Sequence, residues 1–146
     1  MRSRAAACLS VGMAHPIMFD DADPLLVRLR ALALAYPDAA EKISHGHPAF
    51  FTTKVFAYYG GSVKVDGVYQ QHEHSLIVLT DPGERTALLG DARCYVPAYL
   101  GASGWIGLDL AHDTDWDEVD ELLDASYRLT AGPRRVAVLA SRRHRS

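Results

Sequence analysis

Residues 105–130, WIGLDLAHDTDWDEVDELLDASYRLT, carry the clearest structural signal in the chain. The segment WIGLDL predicts a strand, and Asp115 with Glu118 forms a capping box that starts a long helix. Five residues at helical spacing share one face of that helix: Trp116, Val119, Leu123, Ser126 and Tyr127. A strand followed by a helix with one buried face predicts a sheet covered by helices on one side.

The segments upstream extend this pattern. Asp23 and Pro24 predict the start of a helix, and its apolar residues recur at helical spacing, at Leu25, Leu29, Leu32 and Tyr36. SLIVLT, residues 75–80, predicts a central strand, and DPGERTALLG, residues 81–90, predicts a short helix capped by Asp81. AFFTT, KVFAYYG and SVKV predict further strands, whereas EKISHGHP predicts a connection and VDGVYQQHEH a hairpin turn or loop. The order predicts an α+β fold with a single antiparallel sheet and helices packed on one face.

The length of 146 residues, with 49% apolar and 23% charged residues, fits one globular domain. We assign residues 20–135 to that domain, residues 1–19 to a disordered or mis-assigned extension, and residues 136–146 to a basic tail. In the extension, Ser10 and Gly12 break an apolar run too short for a secretory signal, and Met13 or Met18 is the alternative start. No segment reaches the roughly 20 apolar residues of a membrane span. Cys8 and Cys94 form neither a metal spacing nor a disulfide framework, so the expected location is the cytoplasm.

Charge is distributed unevenly along the chain. All 18 acidic residues lie between Asp20 and Asp124, and residues 20–133 contain eight basic residues, a net charge of −10. Such a domain repels a phosphate backbone, because nucleic-acid affinity depends on Lys and Arg that neutralise phosphates. Only the C-terminal arm offers candidates for nucleic-acid binding: Arg134, Arg135, Arg142, Arg143 and Arg145.

Five segments in order, SHGHPAF, KVFAYY, DPGER, VPAYLGASGWIGLDL and DWDEVDELLDASYRL, resemble the MmcQ/YjbR family. The resemblance covers about residues 24–135. It implies a fold like that of CyaY and frataxin, an antiparallel sheet covered by two helices. It also implies DNA binding through a "double wing" motif, a role that fold alone does not establish.

SHGHPAF, residues 44–50, contains two histidines whose side chains would point to one side of a strand. Gly46 and Pro48 favour a tight turn, while a metal site would require a third ligand that the local sequence does not provide. A pocket for an organic ligand is the remaining interpretation. With Lys54, which could hold an anion, and Trp105, which follows a glycine-rich turn, this gives a ligand-binding candidate set: His45, His47, Lys54 and Trp105.

Two further clusters have weaker functional interpretations. His72 and His74 flank a carboxylate and form an alternative metal pair. The acidic face of the predicted last helix could bind cations loosely or hold a protein partner, although such charge runs are usually solvated; it comprises Asp113, Asp117, Asp120, Glu121 and Asp124. No catalytic or cofactor motif is present, and Cys94 has no histidine placed to activate it. We therefore expect a binding protein without enzymatic activity or cofactor, and its partner is DNA, a small ligand or a protein.

Overall fold

A six-stranded sheet lies at the centre of the molecule. The computed structural model of the chain describes residues 17–145, so the predictions for residues 1–16 and for Ser146 lie outside the described part. The strands are β1 (Ala40–Ser44), β2 (His47–Phe51), β3 (Val55–Val65), β4 (Val68–Leu79), β5 (Cys94–Tyr95) and β6 (Trp105–Asp109). They lie in the order β1-β2-β3-β4-β6-β5, and each neighbouring pair is antiparallel.

The described residues also form four α-helices: α1 (Pro24–Leu34), α2 (Pro82–Leu88), α3 (Trp116–Thr130) and α4 (Pro133–Arg145). Side chains from α1 and α3 pack with those of the sheet in one core, where Tyr59, Leu76 and Leu108 lie directly across neighbouring strands. The predicted α+β class with a single antiparallel sheet is therefore confirmed. Its stability rests on this burial of apolar surface.

The three predicted helix starts are observed. Asp23, Asp81 and Asp115 each accept a hydrogen bond from a backbone N–H of the first turn. The buried stripe of α1 is rotated from the prediction: Leu26, Leu29 and Ala33 are fully buried, whereas Leu25 and Leu32 are only partly buried. The apolar residues at 25, 26, 29, 32 and 33 allow either stripe, so the sequence did not determine which one faces the sheet.

The segment EKISHGHP is not a connection but most of a β-hairpin. Residues 40–44 form an edge strand, β1, paired with β2. His45 and Gly46 occupy its two-residue turn with φ values of 52° and 87°, the conformation that fits the twist of two antiparallel strands. β1 was missed because its side chains are mostly polar and exposed, so it lacks an apolar alternation.

The second hairpin turn was located correctly at Asp66 and Gly67, with φ values of 52° and 79°. The residues after it are not a loop. Residues 68–79 form one long strand, β4, which includes both VYQQHEH and SLIVL. The outer half of β4 is mostly polar and exposed, and its strand conformation comes from pairing with β3.

Both ends of the described chain contact the rest of the domain. Residues 133–145, which include most of the segment assigned to the basic tail, form helix α4, and Leu139 buries its side chain in the core. At the other end, the Met18 N–H donates a 2.9 Å hydrogen bond to the Gly46 carbonyl, and Phe19 packs against the core. We call residues 17–22, which lead into α1, the strap.

Candidate functional site

The four residues predicted to bind a ligand are not gathered in one place. His45 is exposed in the β1–β2 turn, whereas Lys54 is exposed in the turn after β2. A five-residue strand separates these two turns, a distance of about 16 Å at 3.3 Å per residue. Trp105 lies on β6, where its ring contacts Tyr58 edge-on at 5.4 Å. The structure therefore does not bring this set together as a site.

His47 has a structural environment of its own. Its Nδ1 is buried and has no hydrogen-bond partner among the described residues. A Cβ at Gly60 would lie 2.8 Å from that nitrogen, so the close approach and the φ of 85° both require glycine. Burial lowers the pKa of His47, which keeps the imidazole neutral at neutral pH.

His72 and His74 lie on β4 but have different partners. The β3–β4 register shifts between Tyr59 and Gly61. This irregularity interrupts the regular alternation of side chains that would place His72 and His74 on the same face of β4. His72 Nδ1 lies 2.7 Å from Asp109 Oδ1 and its ring stacks on Tyr95, whereas His74 Nδ1 lies 2.8 Å from Asp23 Oδ2. Across residues 17–145, no group of three or more His, Cys, Asp or Glu side chains has a metal-binding arrangement.

Asp23 joins the start of α1 to the sheet. Its Oδ1 accepts the Leu25 N–H at 3.0 Å, while its Oδ2 accepts the Tyr59 hydroxyl and contacts His74. Tyr59 is buried in β3, and its hydroxyl lies 3.1 Å from His74 Nδ1. With Nδ1 protonated and donating to the carboxylate, Nε2 of His74 is left as an acceptor.

Ionisation states follow from these contacts. Burial by itself would raise the pKa of Asp23, but the interactions with Tyr59, the Leu25 amide and His74 together outweigh it and hold the pKa below its ordinary value. Burial and the bond to Asp23 raise the pKa of Tyr59, so this phenol stays protonated. The network is therefore a carboxylate that accepts from a neutral phenol and an imidazole.

A cavity of about 200 Å³ opens beside this network, between the strap, α1, β3 and β4. We call it the strap pocket, and its lining residues are Met18, Phe19, Asp20, Asp23, Tyr59, Glu73 and His74. The lining contains three carboxylates and one imidazole beside the apolar Met18 and Phe19. No described residue is bonded to the Glu73 carboxylate or to His74 Nε2, and 55% of the His74 side chain is exposed.

A second cavity of about 270 Å³ lies at the seam of α1, α3 and α4. Its polar groups are bonded to each other: the Tyr36 hydroxyl donates to Asp120 at 2.8 Å, and Arg143 lies 3.4 Å from the same carboxylate. Since these groups already have partners, the strap pocket is the better candidate for a ligand site.

The arginines predicted to contact nucleic acid lie on α4, and four of them, Arg134, Arg135, Arg142 and Arg143, have partners within the chain. Arg134 and Arg135 both lie within 3.2 Å of the Asp38 carboxylate, although 72% of the Arg134 side chain is exposed. Arg142 donates to the Ala35 carbonyl at the end of α1, and Arg143 pairs with α3. Arg145 is the last residue of α4.

The acidic face of α3 is partly covered by α4. Asp120 and Asp124 both pair with Arg143, so two of the five acidic residues proposed for cation or partner binding have partners within the chain. Asp113 precedes the helix, and Asp117 lies in its first turn, where it stabilises the helix N-terminus.

Asp23 and Tyr59 were missed as site residues. Asp23 was recognised only as a helix cap. A capping pattern predicts the hydrogen bond of one carboxylate oxygen, but it gives no information on what the second oxygen contacts. Tyr59 lies in an apolar strand, and nothing in the local sequence indicates that its hydroxyl meets a carboxylate 36 residues away. Glu73 and His74 belong to the HEH cluster, and both residues line the strap pocket.

Within residues 17–145, no helix is both long and apolar enough to cross a membrane. The profile of the YjbR family matches residues 34–129, well over half of the chain. The matched range runs from the end of α1 almost to the end of α3. It includes Tyr59, Glu73 and His74 but neither Asp23 nor the arginines of α4. No curated protein matches the sequence.

Proposed function

The chain belongs to the YjbR family, and we propose that this member is a non-enzymatic binding protein that holds a small organic cation in the strap pocket. The observation that carries the proposal is the Asp23–Tyr59–His74 network, which orients His74 toward a cavity that also contains Glu73. An ordered imidazole and an uncommitted carboxylate are suitable partners for an ammonium group.

Size and charge narrow the ligand class. The cavity of about 200 Å³ is smaller than the roughly 300–1,000 Å³ of sites for drug-sized ligands. Three carboxylates in its lining favour a positive group, and Met18 with Phe19 can cover a short methylene chain. A primary amine or diamine of a few carbons meets both conditions.

The proposal assigns binding and no chemistry to this site. The described lining contains no Ser, Thr, Cys or Lys, and the proposal uses its carboxylates and its imidazole only as polar partners of the ligand. Cys94 lies elsewhere on β5, and burial raises the pKa of its thiol to about 11, so it stays protonated at neutral pH.

Calorimetric titration with 1,4-diaminobutane tests the proposal, with the uncharged 1,4-butanediol as the matched ligand. We expect the diamine to bind and the diol not to bind. Glu73→Gln should weaken diamine binding about tenfold, the effect of losing one hydrogen bond to a charged group. Glu121→Gln removes the same charge from an exposed position on α3 and should leave binding unchanged. Equal affinity in the Glu73→Gln variant and the wild-type protein would contradict the proposed site.

DNA binding through α4 is a second candidate, and the exposure of Arg134 is the observation that favours it. In this function, phosphates would compete with the Asp38 carboxylate for the arginines, so affinity would be low and strongly dependent on salt. Because α4 also contributes Leu139 to the core and an ion pair to α3, deleting it would remove more than the phosphate contacts, and substitutions are the cleaner test.

Fluorescence anisotropy with a generic DNA duplex, repeated over a range of salt concentrations, measures this function. If it is correct, Arg134→Gln combined with Arg142→Gln should weaken binding and reduce the salt slope by about one per lost phosphate contact. Arg28→Gln combined with Lys42→Gln removes the same charge from α1 and β1 and serves as the control. Absence of binding at low salt in the wild-type protein would rule this function out.

A further inference from the structure

Two tyrosines form an exposed stack at the outer end of the β3–β4 hairpin. Tyr69 lies in β4 and Tyr99 lies in the loop after β5; their rings are 5.9 Å apart and inclined by 20°, and their hydroxyls lie 2.6 Å apart. The loop is attached to the sheet, because the Ala98 N–H donates to the Ser62 carbonyl at 2.8 Å. Of the Tyr99 surface, 84% remains exposed.

The backbone at Tyr99 is strained. The Leu100 N–H bonds the Ala98 carbonyl at 2.8 Å, which closes a three-residue turn around Tyr99, and its φ is 68°. Turns of this type are rare, and a bulky residue at positive φ is unfavourable. Strain of this kind is concentrated at functional positions. Packing alone gives no reason for it, since the ring that the turn presents stays almost entirely in solvent.

A positive charge adjoins the stack. Lys64 pairs directly with Tyr69 across the hairpin, and its Nζ lies 5.5 Å from the centre of that ring. Val65 and Val68 beside it are also exposed. Nucleotides contact proteins through base stacking and phosphate pairing. Here the open ring of Tyr99 is available for stacking, and the ammonium group of Lys64 is available for a phosphate on an otherwise acidic domain.

We propose that this surface is a nucleotide-binding site, in which a nucleobase stacks on the open face of Tyr99 and its phosphate pairs with Lys64. The acidic domain favours a free nucleotide over a long single-stranded nucleic acid. Each additional phosphate of the nucleic acid is repelled by the net charge of −10 over residues 20–133. The site is separate from both the strap pocket and α4. It involves no residue of either.

NMR titration of the isotope-labelled full chain tests the site with three probes: AMP, adenosine and a strand of deoxyadenosines. We expect AMP to shift the Tyr69 and Tyr99 resonances at millimolar concentration and adenosine to bind more weakly, since it lacks the phosphate. Tyr99→Ala should weaken AMP binding by about tenfold or more, the usual effect of losing one base–aromatic stack. Tyr99→Phe keeps the aromatic ring and should retain AMP binding.

Lysine variants separate the phosphate contact from general electrostatics. Lys64→Gln should weaken AMP but not adenosine, whereas Lys42→Gln should change neither; Lys42 is a matched control because its ammonium also lies over an aromatic ring, that of Phe51 at 4.7 Å. Unchanged AMP affinity in both Tyr99→Ala and Lys64→Gln would overturn the site. A strand that binds about tenfold more tightly than AMP would overturn the assignment to a free nucleotide.

Discussion

Helices α3 and α4 follow each other in the chain but attach to the domain by different forces. α3 lies against the sheet through a broad buried face, which consists of Val119, Leu122, Leu123, Ser126 and Tyr127. Within residues 133–144, α4 buries one side chain, Leu139, and its polar contacts with the domain include ion pairs of Arg134, Arg135 and Arg143 and the hydrogen bond from Arg142 to the Ala35 carbonyl. Apolar burial stabilises α3, whereas exposed and salt-screened pairs contribute much of what holds α4.

This difference gives the two helices different roles in any functional change. A helix held by apolar contacts moves only when the core opens, so α3 belongs to the cooperative unit of the fold. A helix held by surface charges, such as α4, can separate from the domain at low free-energy cost. The link between α3 and α4 contains Gly132 at a φ of 90°, a conformation that favours glycine.

Loss of core packing under α3 should have the largest effect on stability. Leu123 is fully buried, and Leu123→Ala should lower the free energy of unfolding by about 2–5 kcal/mol through lost transfer energy and a cavity. Leu129 lies on the same helix with 52% of its surface exposed, so Leu129→Ala should stay within about 0.5 kcal/mol of wild type. Urea denaturation measures both, and equal losses would contradict the assignment of the buried face.

Ser126 should give the next largest effect, because it bonds α3 to the sheet. Its Oγ donates to the Phe56 carbonyl at 2.6 Å and accepts the Leu79 N–H at 3.0 Å, and it is fully buried. Ser126→Ala leaves two backbone groups without this partner and should cost about 1–3 kcal/mol. Ser103→Ala, at an exposed position, is the control. A neutral Ser126→Ala would show that water replaces the hydroxyl.

The same two helices show what sequence reasoning could reach. α3 was predicted with its cap and with four residues of its buried face, since apolar side chains recur over fifteen residues; Trp116 is only partly buried, and Leu122 was not predicted. In α4, arginines flank the short apolar run VAVLA, and the composition matches that of a basic tail. The helix conformation therefore depends on tertiary contacts, such as Leu139 in the core and Arg143 near Tyr36, which no local pattern reports.

The candidate site was predictable only in part, for the same reason. HEH indicated the segment that contributes Glu73 and His74, because both residue types carry recognisable chemistry. Asp23 reaches His74 across 51 positions, and a single sequence gives no signal for a pairing over that distance. In SHGHPAF, the tight turn that Gly46 and Pro48 predicted is observed at His45 and Gly46, and His47 is the first residue of β2.

Leu139→Ala sharpens the contrast between the helices. It removes the main apolar contact of α4, and we expect it to release the helix at a cost of about 1–3 kcal/mol while the sheet and α3 stay folded. Hydrogen exchange should then show fast amides in residues 136–143 and unchanged protection in α3. Equal loss of protection in both helices would show that α4 belongs to the cooperative core.

Asp38→Asn should have the smallest effect on the attachment of α4, and that effect should be purely electrostatic. Asp38 has a φ of 61°, and asparagine tolerates that conformation as well as aspartate does, so the variant removes only the pairs with Arg134 and Arg135. Hydrogen bonds from Arg135 and Arg134 hold the pKa of Asp38 below its ordinary value of 3.8. The ionised carboxylate therefore stabilises the attachment of α4 fully above that pH, and the contribution disappears as the pH falls through the lower folded-state pKa.

At neutral pH and low salt, the variant should exchange its α4 amides faster than the wild-type protein does. The two proteins should converge in strong acid, where the carboxylate is protonated, and at salt concentrations well above about 0.1 M, where exposed pairs are screened. A difference that persists under both conditions would show that α4 is held at this end by contacts other than charge.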